Sequence, residues 1–336
     1  MNEHLDILQN WSSKGLRVAL ARVVKTWGSS PRPVGSIMLI NEKGEMSGSV
    51  SGGCVEGVVV KKAQEVFDGA KSLRLAFGVS DEEAWSVGLS CGGSIQVFIQ
   101  EMDLTNGVWA DLVSKVKANE SATMISLLAD GSEEDVLVPQ EVGQEEPVLI
   151  SEARKAHDDR TNRSITLEER DYFIHVFPHQ AQLLVIGAAH ITVDLVDLGN
   201  QFGFETVVID PRGYFAENIH FPEPPSQLHN AYPSEVLNDF PLDPYTFCAV
   251  LSHDPKIDDN ALEILLPSKV AYIGALGSRK THAKRTKRLL EKGISQEMID
   301  RISAPIGLPI NARSAKEIAL AIMGQIIEVK NQHMVR

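Results

Sequence analysis

The chain has 336 residues, 43% hydrophobic and 23% charged, which fits about two globular domains with cores of their own and excludes fibrous or wholly disordered classes. A formal charge of −13 argues against a nucleic-acid-binding surface over the whole molecule, and no apolar run is long enough to cross a bilayer. The opening MNEHLDILQN lacks the regions of a signal peptide, and three cysteines without a CxxC pair suit a reducing compartment, so a cytoplasmic location is expected.

Spacing predicts a short helix over 5–16 and a strand rich in Val, Ala and Leu over 16–27. GSSPRPVGS is a loop, and SIMLINEKGEMSGSV carries two β-prone runs around a turn signal at 41–44, the pattern of a hairpin. In VVVKKAQEVFDGA, residues Val59, Ala63, Val66 and Phe67 fall on one helical face and Gly69 can close the helix. SIQVFIQEM alternates, with Ile95, Val97 and Ile99 on one face of a strand. Over 106–178, ATMISLLAD and YFIHVF read as strands separated by the exposed polar or acidic loops GSEEDV, GQEEP and HDDRTNRS. This extension completes a first domain of 1–178.

A second domain, 179–336, follows a different grammar. LLVIG, ITVDLVDLGNQFG and ETVVID form one strand–helix–strand unit, and TFCAVLSHD and VAYIGALGS supply further parallel strands. Helices are expected in NALEILL, RKTHAKRTKRLLEKG and SAKEIALAIMGQIIEV. The fold class is therefore α/β, with an N-terminal mixed α+β domain and a C-terminal Rossmann-like, doubly wound parallel sheet.

Two loops set cysteines beside paired glycines: Gly52-Gly53-Cys54 at a helix start, and Cys91-Gly92-Gly93 before a strand. Backbone amides at a helix start favour negative charge, so the first loop is a candidate anion cradle and thiolate site, and Cys91 a second thiol that would converge on it. The competing reading is two buried structural cysteines, which Cys248 within TFCAVL is taken to be. Zinc is disfavoured because no second Cys or His pair lies at ligand spacing.

In the second domain, Gly187-Ala188-Ala189-His190-Ile191-Thr192 stands where a dinucleotide loop carries G-x-G-x-x-G, so only Gly187 is kept. Asp210 ends the next strand where an acid would hold ribose hydroxyls. His190 and His253 belong at the carboxyl edge of the sheet, where ligands bind. Arg279, Lys280, Lys284, Arg285, Lys287 and Arg288 crowd one helix. Ser278, Arg279 and Lys280 are read as a phosphate-binding edge, with a solvated helix face as the alternative.

GSSPRPVGSIMLI, GSVSGGCVEG and GLSCGGSIQVFI, followed in order by LLVIGAAH, VVIDPR, AYIGALGSRK and APIGLPI, resemble the XdhC/CoxI family of xanthine dehydrogenase accessory proteins, from about residue 27 to 326. That family usually has Gly-Ala-Gly-His where this chain has Gly187-Ala188-Ala189-His190. The resemblance implies an XdhC/CoxI domain followed by a Rossmann domain, in an accessory protein and not an enzyme. Such a protein binds the molybdenum cofactor, as molybdopterin or its dinucleotide form, helps its sulfuration and delivers it to an apo molybdenum hydroxylase of the xanthine dehydrogenase type. A homodimer and a cysteine desulfurase partner are also implied. A soft metal centre suits a thiolate and an anionic tail suits a helix N-terminus. Cys54 and Cys91 are thus expected near the molybdenum or its sulfur, with Gly52, Gly53 and Gly92 giving close backbone approach. Gly187, His190, Asp210, His253, Ser278, Arg279 and Lys280 are expected at the phosphate or nucleotide end. An NAD(P)-dependent oxidoreductase is the alternative, resting on the Rossmann pattern and Asp210. The xanthine-oxidising enzyme itself is excluded, because the cysteine sets for iron–sulfur clusters are missing.

Overall fold

The computed structural model describes residues 1–78, 93–105, 107–139, 146–213 and 221–334. The chain divides into two compact units, Met1–His179 and Gln180–Arg336.

In the first unit, helix α1 (Leu5–Ser13) leads into strand β1 (Val18–Trp27), whose first seven residues are all buried. β1 is central to an antiparallel sheet of order β3-β2-β1-β5-β4, with β2 (Ile37–Asn41), β3 (Met46–Gly48), β4 (Ser72–Phe77) and β5 (Ser94–Met102). The β2–β3 hairpin expected from the sequence is present, closed by the Gly44 amide on the Asn41 carbonyl. Because strand side chains alternate, Ala19, Ala21 and Val23 pack with Val59 and Ala63 of helix α2 (Glu56–Glu65). Val18 and Leu20, from the other face of β1, pack with α1 and helix α3 (Gly107–Lys117).

A second antiparallel sheet of the unit has the order β7-β6-β9-β8, formed by β6 (Ala122–Leu127), β7 (Asp135–Leu137), β8 (Arg163–Leu167) and β9 (Arg170–Phe177). Helix α4 (Val148–Asp158) buries Ala153 and Ala156 against it. The stretch expected to hold strands and loops therefore also contains two helices. α3 buries Trp109, Leu112 and Val116 and packs Val108 and Val113 beside them, so its helical stripe is present in the sequence, whereas α4 buries Ala153 and Ala156, small residues that mark an apolar face weakly. β4 was absent from the expectation too; its pairing partner β5 lies beyond the residues that follow it.

Arg22, fully buried, lies within the first unit's core. It donates to Ser126 Oγ and Gln100 Oε1, each at 2.9 Å, and its guanidinium lies 5.5 Å from the Phe98 ring, 5.6 Å from Trp109 and 5.8 Å from Phe173. Burial depresses its pKa to about 10, against the raising influence of Asp135.

The second unit is a parallel sheet of order β12-β11-β10-β13-β14-β15, of the doubly wound kind expected from the sequence, with the short edge strands β12 and β15 in addition to the strands expected. Its strands are β10 (Gln182–Ile186), β11 (Glu205–Ile209), β12 (Gln227–His229), β13 (Thr246–Val250), β14 (Tyr272–Ala275) and β15 (Ile302–Ser303). Helices α5 (His190–Gln201) and α10 (Ala315–Met334) cover one face through Leu195, Val196, Ile322 and Met323. A short helix α6 (Pro233–Leu237), α7 (Pro255–Leu265), α8 (Arg279–Glu291) and α9 (Gln296–Ile299) contribute Leu237, Leu262, Leu289 and Ile299 to the other core. Burial on both faces explains the nearly unbroken apolar runs of these strands. Cys248 is fully buried in β13 and burial pushes its thiol pKa up, so it is structural. Among the described residues no helix is long and apolar enough to cross a membrane.

Candidate functional site

In the first unit the chain leaves β3, turns through Ser49–Val55 and enters α2 at Glu56. The N-cap Val55 has no side-chain acceptor for the first amides of the helix. Glu56 does not fill that role; its side chain folds back onto the loop that precedes the helix. Its Oε1 accepts from Ser49 Oγ (2.6 Å), the Val50 amide (3.2 Å) and the Ser51 amide (2.9 Å). Its Oε2 accepts from Ser51 Oγ (2.6 Å) and the amides of Gly53 (3.0 Å) and Val55 (3.1 Å). The remaining amides are engaged as well: Gly52 donates to Ser49 Oγ at 2.8 Å, and Cys54 to Ser51 Oγ at 3.0 Å.

Burial alone would raise the Glu56 carboxyl, but hydrogen bonds from Ser49, Ser51 and the backbone outweigh it and bring its pKa to about 2. The expectation that these amides await an external anion is therefore corrected. A carboxylate of the chain itself already occupies the nest. What Gly52 and Gly53 provide is the turn, with φ of +80° and +117°. Cys54 remains half-buried at its rim, resting against the core that contains Val50, Val55 and Val59.

The loop at 28–36 lies close to parts of both glycine loops. A Cβ on Gly52 would lie 3.7 Å from Pro31 Cβ, and one on Gly93 would lie 2.5 Å from the Ser29 carbonyl oxygen. Cys91 and Gly92 lie outside the described residues, so the expected pairing of thiols is not addressed by the geometry. Among the described residues no three His, Cys, Asp or Glu side chains are grouped to hold a metal ion. A cleft of about 650 Å³, lined by Arg17, Gln100, Glu101, Trp109 and Asp135 among others, opens at the Val18–Met102 end of β1 and β5, whereas Gly93 lies at the Trp27–Ser94 end.

In the second unit, Gly187 leaves β10 with φ +105°, and a Cβ there would lie 2.5 Å from Ser252 Cα, so this turn needs glycine. The donors around it are engaged internally. The Ala188 amide donates to Asp210 Oδ2 at 2.7 Å, and the Ala189 amide to Thr192 Oγ1 at 3.3 Å. Asp210 is fully buried and is also bound by Arg212, with Nη2 2.7 Å from Oδ2 and Nε 3.0 Å from Oδ1. Burial alone would raise its carboxyl, but Arg212 and the amides of Ala188 and Arg212 outweigh burial and hold the pKa below the usual carboxylate value. Asp210 thus secures the turn and does not present its oxygens to a ribose, contrary to expectation.

His190 and His253 are both exposed, at the exits of the adjacent strands β10 and β13. His253 takes φ +61°, an uncommon conformation outside glycine. Ser278 caps α8, its Oγ accepting from the Thr281 amide at 3.2 Å, while Arg279 and Lys280 are exposed in the first turn. The basic run divides by helix face. Arg285 is buried, 3.2 Å from Asp258 Oδ2, and Arg288 binds Asp259 at 2.6 and 2.9 Å, leaving Arg279, Lys280, Lys284 and Lys287 exposed.

Sequence reasoning overlooked Glu56, Arg212, Ser252 and Asp258. Arg212 Nη1 lies 3.3 Å from the Ser252 carbonyl oxygen, and Ser252 Oγ donates to Asp258 Oδ1 at 2.5 Å, which ties together the exits of β11 and β13. Burial raises the Asp258 pKa, against the lowering influence of Ser252 and Arg285. The dipeptide after Asp210, Pro211-Arg212, was the one local signal for this network.

Comparison with known proteins agrees with this architecture. A model described as the XdhC and CoxI family matches residues 11–78, and one described as the XdhC Rossmann domain matches residues 183–326. A protein of Bacillus subtilis named as a probable xanthine dehydrogenase subunit is 28% identical over 93% of this chain and 93% of its own. The molybdenum cofactor insertion chaperone PaoD of Escherichia coli is 24% identical over 95% of this chain and 85% of its own. A crystal structure described as a xanthine dehydrogenase from Bacillus halodurans superposes with a TM-score of 0.77 at 27% identity, covering 98% of this chain and 96% of that one. With the two models matching in order, one in each unit, the chain belongs to the XdhC and CoxI family.

Proposed function

We propose that this chain is a maturation factor that binds the molybdenum cofactor as cargo, as molybdopterin or its dinucleotide form, and helps its sulfuration and insertion into a molybdenum hydroxylase of the xanthine dehydrogenase type. The observation that carries this reading is the likeness to a cofactor insertion chaperone over 95% of the chain. The site chemistry supports it: Cys54 is a half-buried soft donor on a loop fixed by Glu56, suited to the metal or sulfur end of the cargo. Cys91 joins Cys54 in this proposal. His190, His253 and the Ser278–Lys280 turn serve the anionic end. The chain works in the cytoplasm as a homodimer that meets an apo hydroxylase and a cysteine desulfurase.

The engagement of Asp210 by Arg212 weighs against the NAD(P)-dependent oxidoreductase. Reconstitution tests the proposal. A cofactor-free hydroxylase mixed with the cofactor-loaded chain should gain activity faster than with free cofactor at the same concentration. Equal rates in the two mixtures would remove the delivery role.

A further inference from the structure

The loop over 28–36 is held in place without help from its one charged side chain. At its base the Val23 amide donates to the Ser36 carbonyl oxygen at 2.9 Å, and the Gly35 amide to the Val23 carbonyl oxygen at 2.8 Å. The second sheet of the unit braces it: Asn162 Nδ2 donates to the Val34 carbonyl oxygen at 3.3 Å, and Ser164 Oγ to that of Val24 at 2.7 Å. Asn162 packs so closely that a Cβ on Gly35 would lie 1.9 Å from its Nδ2. At the tip, Ser30 Oγ donates to the Arg32 carbonyl oxygen at 2.8 Å. Pro31 and Pro33 fix φ on either side of Arg32, and Pro33 also narrows the backbone choices of Arg32 itself.

Arg32 is what this frame presents, and it differs from its fellows. Every other arginine of the first unit bonds a partner, often a carboxylate such as Glu101, Asp171 or Glu146. Arg32 is exposed and has no side-chain partner among the described residues. The sequence gives it no local acid: no Asp or Glu stands between Asp6 and Glu42 in a chain that has 45 of them. The carboxylate of the adjoining loop is not free either, since Glu56 is already filled by Ser49, Ser51 and backbone amides. A solvated arginine needs no partner, but a guanidinium on a restrained loop can take one at little further cost in ordering.

The tip of this loop meets the loop of Cys54. Pro31 Cβ lies 3.7 Å from where a Cβ on Gly52 would stand, and Gly52 carries none, so the backbone there is open to a ligand. Arg32 follows Pro31 directly, on a long stem with its charge at the end. A planar guanidinium matches two oxygens of one oxyanion, a pairing that a thiol does not supply.

We infer that Arg32 is the oxyanion-binding residue of the Cys54 site. It takes two oxygens, of a phosphoryl group or of a metal–oxo group, from a ligand that lies across Gly52. This deepens the reading above and rests on it for the identity of the ligand; it adds an anion contact to the first unit, where that reading places only thiols.

Calorimetric titration of the full chain with inorganic phosphate and with molybdate tests the site without the cofactor. At least one of the two should bind, and Arg32→Ala should weaken it about tenfold at unchanged Tm. Arg32→Lys, which keeps the charge but loses the fork, should recover only part of that loss. Lys25→Ala, the loss of an exposed cation before the loop, should leave binding within about twofold. Tighter binding of phosphate assigns the contact to a phosphoryl group, and tighter binding of molybdate assigns it to the oxo groups of a metal. Binding of neither anion by wild type, or equal losses in Arg32→Ala and Lys25→Ala, would overturn the inference. So would an Arg32→Ala chain that binds the anion as wild type does but loses affinity for the apo hydroxylase, which would place the guanidinium on a protein interface. A chain that binds the anion through Arg32 but purifies without molybdenum cofactor contradicts the proposed function alone. Equal retention of the cofactor by wild type and Arg32→Ala contradicts this inference alone.

Discussion

Arg212 holds Asp210 by both carboxylate oxygens, at 2.7 and 3.0 Å, from only two residues further along the chain. This contact turns what looks like a ribose-binding acid into a structural one. Titration with NAD(H) and NADP(H) should show no binding at micromolar cofactor. Asp210→Ala should cost about 2–3 kcal/mol in urea unfolding, because it leaves the Ala188 amide and the guanidinium short of their acceptor. A stability loss well under about 1 kcal/mol would indicate that the pair does not secure the turn.

Glu56 gives a pH dependence with a definite sign. Its carboxyl is lowered from 4.5 to about 2, so the folded state favours the ionised form. The stabilisation, of order 3 kcal/mol, is complete above about pH 4.5 and disappears as pH falls toward about 2. Unfolding of wild type and Glu56→Gln should therefore differ most at neutral pH and converge in acid. A gap that stays constant down to pH of about 2 would contradict this assignment.

Two glycines should respond differently to alanine. Gly187→Ala drives a Cβ to 2.5 Å from the Ser252 backbone, and the loss should exceed about 3 kcal/mol. Gly53→Ala meets nothing within 4 Å and should cost about 1 kcal/mol, from its positive φ alone. Thermal unfolding of the two variants ranks them directly.

Arg22 is a core cation with the rings of Phe98, Trp109 and Phe173 around it. Arg22→Ala leaves a cavity and removes donors from Ser126 and Gln100, so a loss of about 3–5 kcal/mol is expected in chemical denaturation. A surface-like loss below about 1 kcal/mol would mean that the charge is solvated in solution.

The doubly wound sheet was legible because each of its longer strands is an apolar run buried on both faces, as in QLLVI and TFCAV. The helix at Gly107–Lys117 was missed although Trp109, Leu112 and Val116 follow a helical spacing, because Val108, Ala110 and Val113 interleave with them and blur the period. The candidate sites were legible as locations but not as hydrogen-bond patterns. No local motif announces that Glu56 turns back onto six donors, since its partners belong to a loop whose shape the carboxylate itself fixes. Nor does a count of basic residues reveal that Arg285 is buried while Lys284 beside it is exposed. That difference comes from the face each residue takes on α8.

The proposed function requires that this chain carry the molybdenum cofactor and that Cys54 hold it. The most direct measurement is the pterin content of the chain purified from a host replete in the cofactor, oxidised to its fluorescent form, for wild type and Cys54→Ser. Wild type should yield the fluorescent pterin, and Cys54→Ser should yield about tenfold less at unchanged Tm. A wild-type chain free of pterin would contradict the claim of cargo, and full retention by Cys54→Ser would contradict the role of the thiol.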